Sequence, residues 1–245
     1  MHGQVLRGRW LVLISAALLH AVPLPAAAPP EGIPADYRLL YSQDFTAPAA
    51  LDELVMTDPR AWRLAPEGVP VRGSLELFQQ SRYQPPHRSP VNLALVSGHV
   101  FGDFVLEAQC QQTGREYGHR DMVFVFGYQS PARYYYVHIA TRTDDHANQI
   151  FIVNNAPRTK ITERTNTGNN WGLNVWRRVR LERRASDGTV KVYFDDLREP
   201  IMAARDRTLG PGWVGFGSFD DTGKIAELRI WGRESAARPA PPFVR

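Results

Sequence analysis

Two short stretches of the chain hold side chains able to move protons or grip a polar ring. "EYGHRDM" (116–122) places His119, Arg120 and Asp121 together at the entrance to the apolar run "MVFVFGYQ". "RYYYVHIA" (133–140) places Tyr134, Tyr136 and His138 at alternate positions, which puts them on one face of a strand. A histidine with a carboxylate partner accepts a proton near neutral pH, so His119, His138 and Asp121 are the candidate acid–base groups. Flat aromatic rings stack on the apolar faces of sugar rings, while imidazole and amide groups hydrogen-bond hydroxyls. Tyr134 and Tyr136, with Asn154 ending the next strand-like run "NQIFIVNN", therefore form a candidate carbohydrate-binding groove. The plainer reading is that tyrosines favour strands and that His-Arg-Asp is ordinary turn charge.

Arginines extend the candidate site. Arg88 stands in the stiff loop "PPHRSPVN" (85–92), and Arg158 follows the asparagines in "NNAPRTK" (154–160). Either guanidinium suits the carboxylate of an acidic sugar. Metal chemistry has little support. "TDDH" (143–146) and "FDDTG" (219–223) offer oxygen ligands for a structural calcium. Both also read as Asp-rich turns and lack the alternating spacing of a dedicated calcium loop, so no metal or other cofactor is expected. No His/Cys set has zinc spacing. The paired-carboxylate strand motif Glu-x-Asp-x-x-Glu is absent, as are a Gly-x-Ser-x-Gly elbow and a phosphate loop. A retaining glycosidase needs two carboxylates about 5 Å apart, and no strand supplies them. A lyase-type reaction stays open, with His138 or His119 as base, a tyrosine as acid and Arg or Asn neutralising a uronate.

The elements that must position these groups are short β-segments separated by Gly, Pro, Asp and Ser, running from Tyr37 to Gly232. In "VWRRVRLERR" (175–184) and "TVKVYFDD" (189–196), Val179, Leu181, Val190 and Val192 alternate with charged residues. One buried and one wet face is the pattern of an antiparallel β-sandwich of two stacked sheets. Only "APAALDELV" (47–55) suggests a short helix. Cys110 shares the apolar face of "DFVLEAQCQQ" with Phe104, Leu106 and Ala108, which predicts a buried, inert thiol. The arginines between Arg177 and Arg184 read as a solvated face and turn.

The series "WRRVRLERR…GTVKVYFDD…GWVGFGSFDDTGKIAELRIWG", with "RSPVNLALVSGHVFGDFVLEAQCQQ…DMVFVFGYQSPARYYYVHIA" before it, resembles a concanavalin A-like, laminin-G-like jelly roll. The closest likeness is to the domain family of 3-keto-disaccharide hydrolases of environmental bacteria. In that family a strand often reads Tyr-Glu-Val-Gln-Ile, with Glu and Gln on the concave face. Laid on Tyr135–Ile139, the resemblance implies Tyr136 and His138 in the concave face and Tyr135, Val137 and Ile139 in the core. Tyr136 stands where the family has its carboxylate.

Residues 1–28 have the order of an export signal: Arg7 and Arg9, an apolar run from Trp10 to Leu24, then Ala26–Ala28. The run is too short and too interrupted for a membrane span. A linker (29–36), one jelly-roll domain (37–233) and a loose Pro/Arg-rich tail (234–245) complete the organisation expected of a secreted or periplasmic protein. The formal charge of +4 includes Arg7 and Arg9; without the signal it is +2, poor grounds for a nucleic-acid partner. The expected partner is a glycan, bound or processed by a hydrolase or lyase mechanism. The alternative is a laminin-G-like structural or protein-interaction module without a sugar site.

Overall fold

The computed structural model describes residues 30–241 and 243; the export-signal reading of residues 1–28 lies outside them. One sheet holds nine strands: β1 (Arg38–Gln43), β3 (Trp62–Pro66), β4 (Gly73–Leu77), β7 (Phe104–Gln112), β12 (Thr162–Thr165), β13 (Trp176–Arg184), β14 (Thr189–Phe194), β15 (Met202–Arg205) and β17 (Gly223–Gly232). The second holds seven: β2 (Leu54–Met56), β5 (Asn92–Val96), β8 (Asp121–Ser130), β9 (Arg133–Ala140), β10 (Gln149–Asn154), β11 (Thr159–Lys160) and β16 (Trp213–Ser218). The small pair β6 (His99–Phe101) and β18 (Ser235–Ala237) forms a third. The ladders are antiparallel, as short turns between successive strands require. The short helix expected at 47–55 is a 3-10 turn over Pro48–Glu53.

The two large sheets stack face to face over one core. Leu106, Ala108, Cys110, Val179 and Leu181 from one sheet meet Phe124, Tyr135, Val137, Ile139 and Phe216 from the other. Cys110 is wholly buried among them, and burial pushes its thiol up, away from the reactive thiolate. The strand period of two then sends Tyr134, Tyr136 and His138 to the outer face of the seven-stranded sheet.

That outer face is a second core. Leu93, Leu95, Val123, Val125, Tyr128, Tyr134, Tyr136 and Phe151 cluster there, with Tyr134 and Tyr136 no more than 1% exposed. The connection between β4 and β5 covers part of it. Its buried Ser89 lies beside the Tyr134 hydroxyl. The segment after Gly232 covers another part and is not loose where it is described. β18 pairs with β6, the Arg238 carbonyl accepts from Trp213 Nε1, and Phe243 packs edge-on against Tyr83 and Tyr128.

The arginine face of β13 also departs from the solvated strand that its charges suggest. Arg180 and Arg183 are each 3% exposed. Both Arg178 and Arg180 bind the buried Glu107 carboxylate, and Arg183 donates to the carbonyls of Gly188, Asp206 and Leu209. Guanidinium groups can be buried where oxygens meet their donors; Arg180 donates to Glu107 and the Glu31 carbonyl, and Arg183 to three carbonyls.

Candidate functional site

The registers of β8, β9 and β10 decide which chemical groups meet. Val123 pairs with His138, and His138 with Gln149, so His138 lies one step from Asp121 at the end of the sheet. His138 Nε2 stands 3.4 Å from Asp121 Oδ2. The Asn148 backbone N–H donates to His138 Nδ1 at 3.2 Å, which assigns the ring proton to Nε2, facing Asp121. Burial, helped by the Arg158 charge, pulls the imidazole down to about 3, so it is neutral. Asn148 sits at φ +55°, a backbone region that favours Asn over branched residues. Its side-chain amide also ties Ala140, Thr143, Asn166 and Asn169 together. The turn after β9 is thus built around the residue that fixes the histidine.

Asp121 is wholly buried and already engaged. It accepts from Ser218 Oγ at 2.9 Å and from the Phe219 N–H at 2.9 Å, while its own N–H donates to Asp221 Oδ2 at 3.0 Å. Burial and the neighbouring Asp221 raise its carboxyl well above the usual range, and burial raises Asp221 as well. Two acids this close hold one proton between them more readily than two charges. Asp220 completes a set of three carboxylates whose ligand atoms lie within 4.8 Å, the one grouping among the described residues able to take a hard cation. Asp121 offers such an ion little, because its oxygens serve Ser218 and Phe219. The "TDDH" turn takes no part in that set; its Asp144 does something else.

Asp144 accepts from His119 Nε2 at 2.5 Å, and from the His146 and Ala147 N–H groups at 2.7 and 2.9 Å. Partial burial works to raise its carboxyl, but those hydrogen bonds and the imidazole win and hold it below its ordinary value. The partners are therefore exchanged relative to the sequence reading. His119 belongs to Asp144, and Asp121 belongs to His138. The two pairs differ in access: His119 and Asp144 side chains are 49% and 45% exposed, His138 and Asp121 5% and 0%. His138, expected to be a base on a groove floor, has both ring nitrogens facing protein groups and no path to a ligand.

An open depression of about 500 Å³ lies beside the exposed pair, lined by Tyr117, Gly118, His119, Arg142, Thr143 and Asp144. Gly168 packs against the backbone of Thr141 and Arg142, behind the lining residue Arg142. At φ +131° it presses so close to Thr141 that a Cβ would stand 2.1 Å from the Thr141 carbonyl oxygen. Tyr117 is anchored through its hydroxyl to Asp221 at 2.9 Å, and the Arg115 guanidinium lies 5.0 Å from its ring centre. Nearby, Arg158 Nη1 donates to the Tyr136 hydroxyl at 2.7 Å and Nη2 to the His146 carbonyl at 3.2 Å. Its guanidinium is held 4.6 Å from the Phe151 ring and 4.8 Å from Phe219, and Arg88 lies 5.9 Å from Phe219.

The structure gathers His119, Asp121, His138, Arg88, Arg158 and the Tyr136 hydroxyl at one end of the sheet. Asn154 does not join them. It pairs with Arg133 at the opposite end of β9 and accepts from Arg133 Nη1 at 2.8 Å. Tyr134 lies within the second core, beneath Ser89. The sequence reading missed Asp144 as a histidine partner, and Tyr117, Arg142 and Phe219 altogether. A hairpin signal was present: once Asp121 faces Ala140, residues just before 121 and just after 140 must meet.

No family model and no curated protein matches the sequence. Among solved structures, the chain is similar to the carbohydrate-binding module CBM66 from Bacillus subtilis, at 16% identity and a TM-score of 0.51 over 74% of this chain and 96% of that one. It is also similar to a Bacillus subtilis protein of unknown function with a galectin-like fold, at 9% identity and a TM-score of 0.51 over 82% of this chain and all of that one. The fold these share with the chain is a two-sheet antiparallel β-sandwich of the jelly-roll, galectin-like kind. The narrower likeness to 3-keto-disaccharide hydrolases rests on the quoted strands alone. Among the described residues no helix is long and apolar enough to cross a membrane.

Proposed function

We propose that the protein is an exported carbohydrate-binding sandwich that meets its glycan in the depression beside His119 and Asp144. The observation that carries this reading is the depression itself. It places an aromatic ring, an imidazole, a carboxylate, a guanidinium and a hydroxyl around one open volume, the mixture a sugar ring requires. The tyrosine row is the weaker candidate because it is covered by the chain's own loop and C-terminal segment. Fold likeness to a carbohydrate-binding module supports the same direction. Affinity electrophoresis through neutral and acidic polysaccharides tests it. At least one polymer retards the wild type, and His119→Ala with Asp144→Ala weakens that retardation about tenfold. Retardation untouched by the double variant removes the site from this depression, and no retardation by any polymer removes the function.

A second reading follows from the exposed pair. Asp144 orients His119 while leaving the imidazole accessible, as a general base requires. The same incubations, followed for new reducing ends and for the ultraviolet absorbance of an unsaturated uronate, separate hydrolysis from elimination and both from binding alone.

A further inference from the structure

Arg88 and Arg158 come from connections far apart in the chain, yet both guanidinium groups lie against the half-buried Phe219 ring. Arg158 is held firmly, stacked between Phe151 and Phe219 and tied to Tyr136 and His146. Arg88 is exposed and, among the described residues, makes no hydrogen bond, which leaves its N–H donors to a ligand. Among the described residues neither arginine forms an ion pair with a carboxylate. Most acids of this end have partners: Asp144 pairs with His119, Asp145 with Lys160, and Asp221 accepts from the Asp121 N–H, while the exposed Asp220 forms no ion pair with either arginine. Asp121, the buried carboxyl 3.4 Å from His138, has its titration raised by burial and by Asp221. Arg142, in the wall of the neighbouring depression, is likewise without a carboxylate partner among the described residues.

We infer that Arg88 and Arg158, set around Phe219 beside the glycan depression, form a subsite for the oxyanion group of an acidic glycan. The ligand chemistry is a carboxylate or a sulfate ester on a sugar ring. Arg158 supplies a pre-ordered charge with little rotamer freedom left to lose, and Arg88 closes over the anion with a bidentate fork. This inference rests on reading the adjacent depression as the glycan site and adds the substrate class to it.

The test compares matched pairs of oligosaccharides by calorimetry at physiological salt: an oligogalacturonate against its methyl ester, and an oligocarrageenan against its desulfated form. The wild type binds at least one acidic member about tenfold more tightly than its neutral partner. Arg88→Gln removes most of that preference, while affinity for the neutral partner changes less than about twofold. The exposed Arg38→Gln, on β1 of the other sheet, leaves both unchanged and excludes general charge attraction. Preference in the first pair identifies a carboxylate, in the second a sulfate. Neutral sugars bound as tightly as acidic ones, or an equal loss in Arg38→Gln and Arg88→Gln, overturn the anion subsite while leaving the glycan site standing. No binding of any of the four oligosaccharides overturns both.

Discussion

Two histidine–aspartate pairs stand at the same end of one sheet, and they do different work. His138 and Asp121 face each other at 3.4 Å with nearly all their surface removed from water. His119 and Asp144 meet at 2.5 Å with about half of each side chain exposed. The inner pair has a neutral imidazole and an acid whose titration burial raises, and its groups are engaged by the Asn148 and Phe219 N–H groups and by Ser218. The outer pair keeps its carboxylate charged and borders open volume. Composition is the same; access to water decides which pair organises the fold and which can meet a ligand.

The largest expected effect on stability comes from the inner region. Tyr136→Ala, in the second core, is expected to cost about 3–5 kcal/mol in urea unfolding, as deletion of a buried aromatic ring does. A loss below about 1 kcal/mol would mean that the tyrosine face is open after all. Next is Asp121→Ala, which leaves Ser218 Oγ and the Phe219 N–H without their acceptor; two orphaned buried groups at about 1–3 kcal/mol each, less the relief of removing a buried carboxyl, give an expected cost of roughly 2–4 kcal/mol.

The pH dependence sharpens the comparison further. His138 has a folded value depressed from the ordinary 6.5 to about 3. Its contribution to stability is therefore present above pH 6.5 and lost as pH falls toward 3. Asp121 has the opposite sign. Its folded value is raised above 3.8, so its contribution is present below that pH and lost as pH rises through the folded value. His138→Gln should remove up to one proton of uptake on unfolding between pH 6.5 and 3, a flattening of at most about 1.4 kcal/mol per pH unit. An unchanged acid limb would show that His138 titrates freely. The smallest effect belongs to the outer pair. His119→Ala should change stability by less than about 1 kcal/mol, the ordinary range for an exposed ion pair, while weakening glycan retardation.

Much of this was legible in the sequence because strand periodicity is a strong signal. The alternation in β9 tells which of three consecutive tyrosines enters the main core, and the run from Phe104 to Cys110 declares its buried face. What could not be read is what covers the other face. Tyr134 and Tyr136 look like a groove floor until the β4–β5 connection and the segment through Phe243 are laid over them, and neither carries a local pattern that announces docking. The histidine partners were misassigned for a related reason. Asp121 is two residues from His119 in sequence, but strand alternation and burial send it inward to His138. Asp144, twenty-five positions away, arrives beside His119 only through the β8–β9 hairpin. Arg180 and Arg183 escaped notice as buried groups because their acceptors, Glu107 and three carbonyls, lie on other strands or in later turns.

The most direct measurement is a backbone amide NMR titration of the protein with the oligosaccharide that binds most tightly in the calorimetric comparison. Glycan contact at the exposed pair predicts shifts centred on residues 117–119 and 142–144, with Val125 and Tyr134 unmoved. Shifts centred on Val125, Tyr134 and Tyr136, with His119 and Asp144 silent, would contradict it and return the binding surface to the tyrosine row.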